Sequence, residues 1–146
     1  MVYARPGVAD ALIRLQDERG HNVNLILFAL WLGRGEGKRL DVASLDRARA
    51  AIAGLDCAVV APLRRLRRAL KDDPDPDIRA LRRRVLALEI AVERRVQARL
   101  AASAQPRRQA RAADRHALAA ANLRLILGGD FATGEAALLC AEIGGV

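Results

Sequence analysis

The chain has 146 residues, 52% of them apolar, 29% charged and only 3% aromatic. This is enough chain to bury about two-thirds of its unfolded surface in one domain. The apolar fraction excludes a disordered chain, and two cysteines, Cys57 and Cys140, exclude a disulfide scaffold. Thirty alanines and 22 leucines stand against 7 isoleucines and 10 valines, so helix formers far outnumber β-branched residues. The formal net charge of +8 is carried by 23 arginines and 2 lysines.

A first helix is expected to open near Pro6 and end before Gly20, with Val8, Leu12 and Leu15 on its apolar face. Asp10, Arg14 and Glu18 form i,i+4 pairs on its wet side. Asn22 then caps a short helix through Val23 to Leu32, closed by Gly33. By periodicity alone the run Leu25–Leu32 also fits a buried strand. Its Leu and Ala content, the caps at both ends and the lack of a partner strand favour helix. Apolar all round, this helix belongs at the centre of the fold, with Trp31 buried.

The segment RGEGKR (Arg34 to Arg39) reads as a flexible loop. Ser44 is the expected N-cap of a long segment, Leu45 to Lys71, in which Pro62 should cause a kink or break. DDPDPD (Asp72 to Asp77) punctuates the chain, with Asp75 as N-cap and Pro76 at the first helical position. The helix that follows, Pro76 to Ala102, carries a stripe of Ile78, Leu81, Val85, Leu88, Val92, Val96 and Leu100. Arg79, Arg83 and Arg94 fall opposite the stripe. Beyond Gln105-Pro106, another helix spans Arg108 to Leu127 and stops at Gly128-Gly129, and Thr133 caps a last one ending before Gly144. The expected fold class is all-α: a single-domain bundle (residues 1–146) of about six to seven helices around a central apolar helix. Hinges are expected near 34–39, 62, 72–75 and 128–130.

The charge is local. Residues 1–62 carry net +1, residues 63–111 net +9, and residues 112–146 net −2. In PLRRLRRALK, Leu63, Leu66 and Leu70 share one helical face and are expected in the core, while Arg64, Arg68 and Lys71 run along another. Arg82, Arg83 and Arg84 form a second cluster; Arg107, Arg108 and Arg111 form a third. The candidate anion or partner surface is Arg64, Arg65, Arg67, Arg68, Lys71, Arg82 and Arg83. Its bland counterpart is a solvated basic face with arginine in place of lysine. Tyr3, Phe28, Trp31 and Phe131 are the only aromatics, so no stacking platform accompanies the arginines.

Catalysis has little to stand on. His21 and His116 read as exposed histidines without metal-like partners, and no nucleophile elbow, phosphate loop or zinc-binding helix motif is present. Glu89 and Glu93, one turn apart, offer half of a carboxylate metal site whose other half is missing. No catalytic, cofactor-binding or metal residue is therefore assigned, and no cofactor. A polar set surrounds the apolar segment: Tyr3, Arg5, Gln16, Asp17, Asn22, Asn24 and Trp31. These residues satisfy caps and loops or, alternatively, line a small pocket or docking surface. No apolar run approaches the roughly 20 residues that span a bilayer. With no signal pattern at the N-terminus and two thiols expected in the core, the expected location is the cytoplasm.

YARPGV (Tyr3 to Val8), LQDERG (Leu15 to Gly20) and NVNLILFALWLG (Asn22 to Gly33) resemble the signature of a family of small, mostly proteobacterial proteins known as a domain of unknown function. VVAPLRRLRRALK (Val59 to Lys71) is similar to the family's second block. The resemblance implies a compact helical cytosolic protein and brings no catalytic residue with it. Family members carry a further Trp- and Phe-rich segment ahead of the Tyr-Ala-Arg-Pro block, whereas this chain starts two residues before Tyr3. A truncation or a misassigned start would account for the difference. The expected function is a non-enzymatic interaction or regulatory protein whose Arg-rich middle binds an acidic protein partner. The alternative is a nucleic-acid-binding module using the same arginines on phosphates, and a homo-oligomer is left open.

Overall fold

The computed structural model describes residues 7–104, 111 and 114–144, and among these there is no strand. Seven α-helices follow one another: α1 (Val8–Asp17), α2 (Val23–Leu30), α3 (Val42–Leu55), α4 (Ala61–Ala69), α5 (Pro76–Ser103), α6 (Arg115–Leu127) and α7 (Gly134–Gly144). The all-α expectation holds, and the chain divides into two compact units. One comprises residues 1–46 with 104–146; the other is the continuous segment 47–103, and α3 runs from the first into the second.

In the first unit α1 packs on α7, and α6 packs on α2 and on the turn after it. Val8, Leu12 and Leu15 are buried as expected, and α1 closes at Gly20, whose φ of +72° lets His21 N–H reach back to the Leu15 carbonyl at 3.0 Å. Asn22 caps α2, its Oδ1 accepting from the N–H groups of Asn24 (2.9 Å) and Leu25 (3.4 Å). Val23, Leu25, Ile26, Phe28, Ala29 and Leu30 are all buried, so α2 is the apolar centre of this unit.

Gly33 does not end this helix. A π-helical turn, Trp31–Gly35, continues it, with Glu36 N–H bonded to the Trp31 carbonyl at 3.1 Å. Gly33 serves instead as a contact point: a β-carbon there would lie 2.5 Å from the backbone N and Cα of Ala119 on α6. Trp31, expected inside, is 40% exposed at the start of the π turn. It leans on Phe28, with ring centroids 6.0 Å apart, and covers Gly35.

The cap of α3 is Asp41 rather than Ser44: Asp41 Oδ1 accepts from Ser44 N–H at 2.8 Å and its carbonyl from Leu45 N–H at 2.9 Å. Pro62 neither breaks nor ends the helical path. A second π turn, Asp56–Val60, joins α3 to α4 just upstream, and the irregularity expected at the proline is taken up there. Asp75 caps α5 as expected, accepting from Asp77 N–H at 2.8 Å.

Asn122 carries no mark in the sequence of the part it plays. It is wholly buried on α6, where its Nδ2 donates to the carbonyls of Lys38 (3.0 Å) and Ala29 (3.2 Å) and its Oδ1 accepts from Leu40 N–H (2.7 Å). One side chain thereby satisfies three backbone groups on α2 and on the segment leading to α3. Asn122→Ala is expected to cost about 3 kcal/mol by leaving them unpaired. Gly33→Ala should cost about 1–3 kcal/mol by overpacking against α6. Both losses should appear in urea unfolding as a lower midpoint at unchanged slope.

Candidate functional site

The basic segment folds as α4 against α5 within the second unit. The expected stripe on α5 is only partly buried. Val85, Val96 and Leu100 are inside, but Leu81 and Leu88 are 45% and 53% exposed. Glu89 takes the inside place next to Leu88 and is 4% exposed.

A buried carboxylate requires cationic partners, and α4 supplies them. Arg67 forms a fork on Glu89, Nε to Oε2 and Nη2 to Oε1, the latter at 3.2 Å. Arg64 bridges Glu89 Oε1 (3.4 Å) and Glu93 Oε1 (2.7 Å). As residue numbers rise along α4 they fall along α5 in these pairs, so the two helices run antiparallel. Arg64 and Arg67 thus reach from α4 toward α5, whereas Arg68 and Lys71 are exposed. Leu66 is 46% exposed, Leu63 and Leu70 are half-buried, and no residue of α4 is fully buried, contrary to the expectation that these leucines are core.

The candidate surface therefore divides. Arg64 and Arg67 hold the helix pair together through Glu89 and Glu93. Arg65, Arg68, Lys71 and Arg83 are exposed, as are Arg84, Arg94 and Arg95. Arg82 is half-buried, with its Nε enclosed and unbonded among the described residues. Of the third cluster, Arg111 is exposed, while Arg107 and Arg108 lie outside the described residues. The carboxylate pair that suggested half a metal site is occupied by guanidinium groups, and no cluster of His, Cys, Asp or Glu able to hold a metal ion occurs among the described residues.

The described members of the polar set around α2 have separate surroundings. Tyr3 and Arg5 lie outside the described residues. Gln16 bonds to its neighbour Asp17 at 3.0 Å, Asn22 caps α2, Asn24 is buried within α2, and Trp31 faces outward. An open groove of about 550 Å³ lies in the first unit, lined by Arg39, Leu40, Val42, Arg124 and Leu125 among others, and none of the five described members of the set lines it.

His21, expected in solvent, is largely enclosed: its Nε2 lies 2.8 Å from Asp130 Oδ2, and Arg19 Nη1 donates to Asp130 Oδ1 at 2.9 Å. These hydrogen bonds, that of His21 first, hold the Asp130 carboxyl below its ordinary 3.8. Glu135 lies below its ordinary 4.5 through its own backbone N–H and Arg14, whose Nε donates to it at 2.9 Å. Cys57, expected in the core, is exposed in the second π turn; Cys140 is half-buried, and burial raises its thiol pKa.

Two outcomes follow from this geometry. Glu89→Gln should destabilise the chain by about 2–3 kcal/mol, less than a fully buried pair because Arg67 keeps some hydration, whereas Arg65→Gln should stay within about 0.5 kcal/mol. In the first unit, lowered carboxylate pKa values stabilise the fold above the ordinary values of 3.8 and 4.5. That stabilisation disappears as pH falls through the lowered ones. A profile of thermal stability against pH should therefore drop less steeply below about pH 5 in an Asp130→Asn, Glu135→Gln variant than in the parent.

No helix among the described residues is long and apolar enough to cross a membrane. No curated protein and no solved structure matches the chain. The model of a family described as a protein of unknown function, DUF2390, matches residues 1–100. That match takes in the Tyr-Ala-Arg-Pro block, all of α1 to α4 and most of α5, and the chain belongs to this family.

Proposed function

We propose that this chain is a non-enzymatic interaction module that binds an acidic protein partner through the outward side of α4 and α5. The observation that carries this reading is the mixed character of the surface. Arg65, Arg68, Arg83, Arg84, Arg94 and Arg95 are exposed together with Leu66, Leu81, Leu86, Leu88 and Ile90. Arginine beside exposed aliphatic residues is the composition of a protein-binding patch, where charge steers and apolar contact holds. A phosphate-tracking surface gains nothing from the leucines and uses aromatic stacking, which α4 and α5 lack. Cytoplasmic residence belongs to the same proposal, supported by the free thiols of Cys57 and Cys140.

The test must spare Arg64 and Arg67, since removing them strands Glu89. A variant with Arg65, Arg83, Arg84 and Arg94 changed to Gln should keep the parent's unfolding midpoint. It should bind fluorescent poly-glutamate about tenfold or more weakly at low salt. Poly-glutamate binding that is absent in the parent, or unchanged in the variant, overturns the reading. Tight binding of duplex DNA, lost steeply with salt and in the variant, would establish nucleic acid as the partner instead.

A further inference from the structure

On α5 the exposed apolar residues are arranged around a centre. At 100° per residue, Leu88 and Leu81 lie along one edge of the outward arc and Ile90 and Leu86 along the other. Ala87 and Ala91, both exposed, lie between the edges. Small side chains flanked by larger ones form a shallow channel of the kind that accepts the ridge of another helix. Along the axis the channel is bracketed by charge, with Arg83-Arg84 at one end and Arg94-Arg95 at the other. Arg83 and Arg94 are eleven residues apart, about three turns or 16 Å, and so point to the same side.

We infer that this channel seats one amphipathic helix of the acidic partner, with its apolar residues on Ala87 and Ala91 between Leu88 and Ile90. Its carboxylates, spaced about three turns apart, meet the two arginine pairs. The inference rests on the acidic-partner reading above and specifies the partner's shape. Charge selects this occupant over the others. A second copy laid face to face would bring arginine pairs onto arginine pairs, in a segment (residues 63–111) that carries net +9. A flat anionic membrane would meet arginines and alanines first, because the leucines stand at the two edges of the arc.

The probes are two synthetic peptides of identical composition, tested with the full chain by fluorescence anisotropy. In one, paired glutamates eleven residues apart bracket a helical face of Leu, Ile and Ala. In the other the order is scrambled, so that no apolar face forms. The amphipathic peptide should bind about tenfold or more tighter than the scrambled one. That preference should vanish in a Leu88→Gln, Ile90→Gln variant, whose exposed substitutions leave the unfolding midpoint in place. If both peptides bind the parent equally and only the arginine variant weakens them, the inference fails while the acidic-partner reading stands. If neither peptide nor poly-glutamate binds, both fail. A dimer in sedimentation, or binding to phosphatidylserine vesicles, that depends on Leu88 and Ile90 while the peptides are not discriminated also overturns it.

Discussion

Glu89 occupies a place on α5 that the helical period assigns to the inside, and a carboxylate there has to be neutralised by whatever packs over it. That constraint orients α4. A helix with leucines on one side and arginines on the other would ordinarily turn the leucines inward. Here the gain from pairing Glu89 and Glu93 with Arg64 and Arg67 competes with burial of Leu63, Leu66 and Leu70, and the charged face wins. Leu66 is thereby left exposed, and Leu63 and Leu70 are only half-buried. A single acidic residue thus links the packing of the second unit to the character of its exposed side. It also shows why the count of basic residues overstates the available cations, since Arg64 and Arg67 are among those held on internal partners.

The first unit depends on polar satisfaction of a different kind. A π turn inserts a residue into the helical path, and the chain from Ala29 to Leu40 then needs partners that regular helix bonding does not supply. Asn122 provides three bonds from one buried amide. They can form only because α6 approaches closely enough to exclude a side chain at Gly33. The close contact and the amide bonds support each other. The open groove beside Leu40 and Leu125 lies on the same scaffold.

Much of this was legible in the sequence, and the failures share a cause. Caps whose signal is local, Asn22 and Asp75, were readable, as were the closure at Gly20, the span of α5 and the stop after Leu127. The two π turns were not, because an extra residue in a helix has no compositional mark. Those turns separated Gly33 from its expected role as a terminator and moved the irregularity away from Pro62. Hydropathy places Leu88 in the buried stripe and leaves Glu89 out of it; the structure exposes Leu88 and buries Glu89 because Arg64 and Arg67 sit across from position 89, which only tertiary pairing reveals. Asn122, flanked by Ala and Leu, looked like an ordinary helical residue. Of the proposed surface, the arginines are visible in the sequence, whereas Leu66, Leu81 and Leu88 read there as core.

The division of the chain has a consequence for the order of assembly. Contacts of the second unit join residues within the single segment 47–103, whereas the first unit pairs residues 1–46 with residues after 104. Closure of the first unit therefore awaits synthesis of α6, since Asn122 reaches back 93 positions to Ala29. During translation the apolar α2, with Phe28 and Leu30, is exposed while the arginine-bearing segment is already complete. The local unit can form early. The unit that shelters the most hydrophobic stretch of the chain forms last, and that interval is when the nascent protein is most open to aggregation.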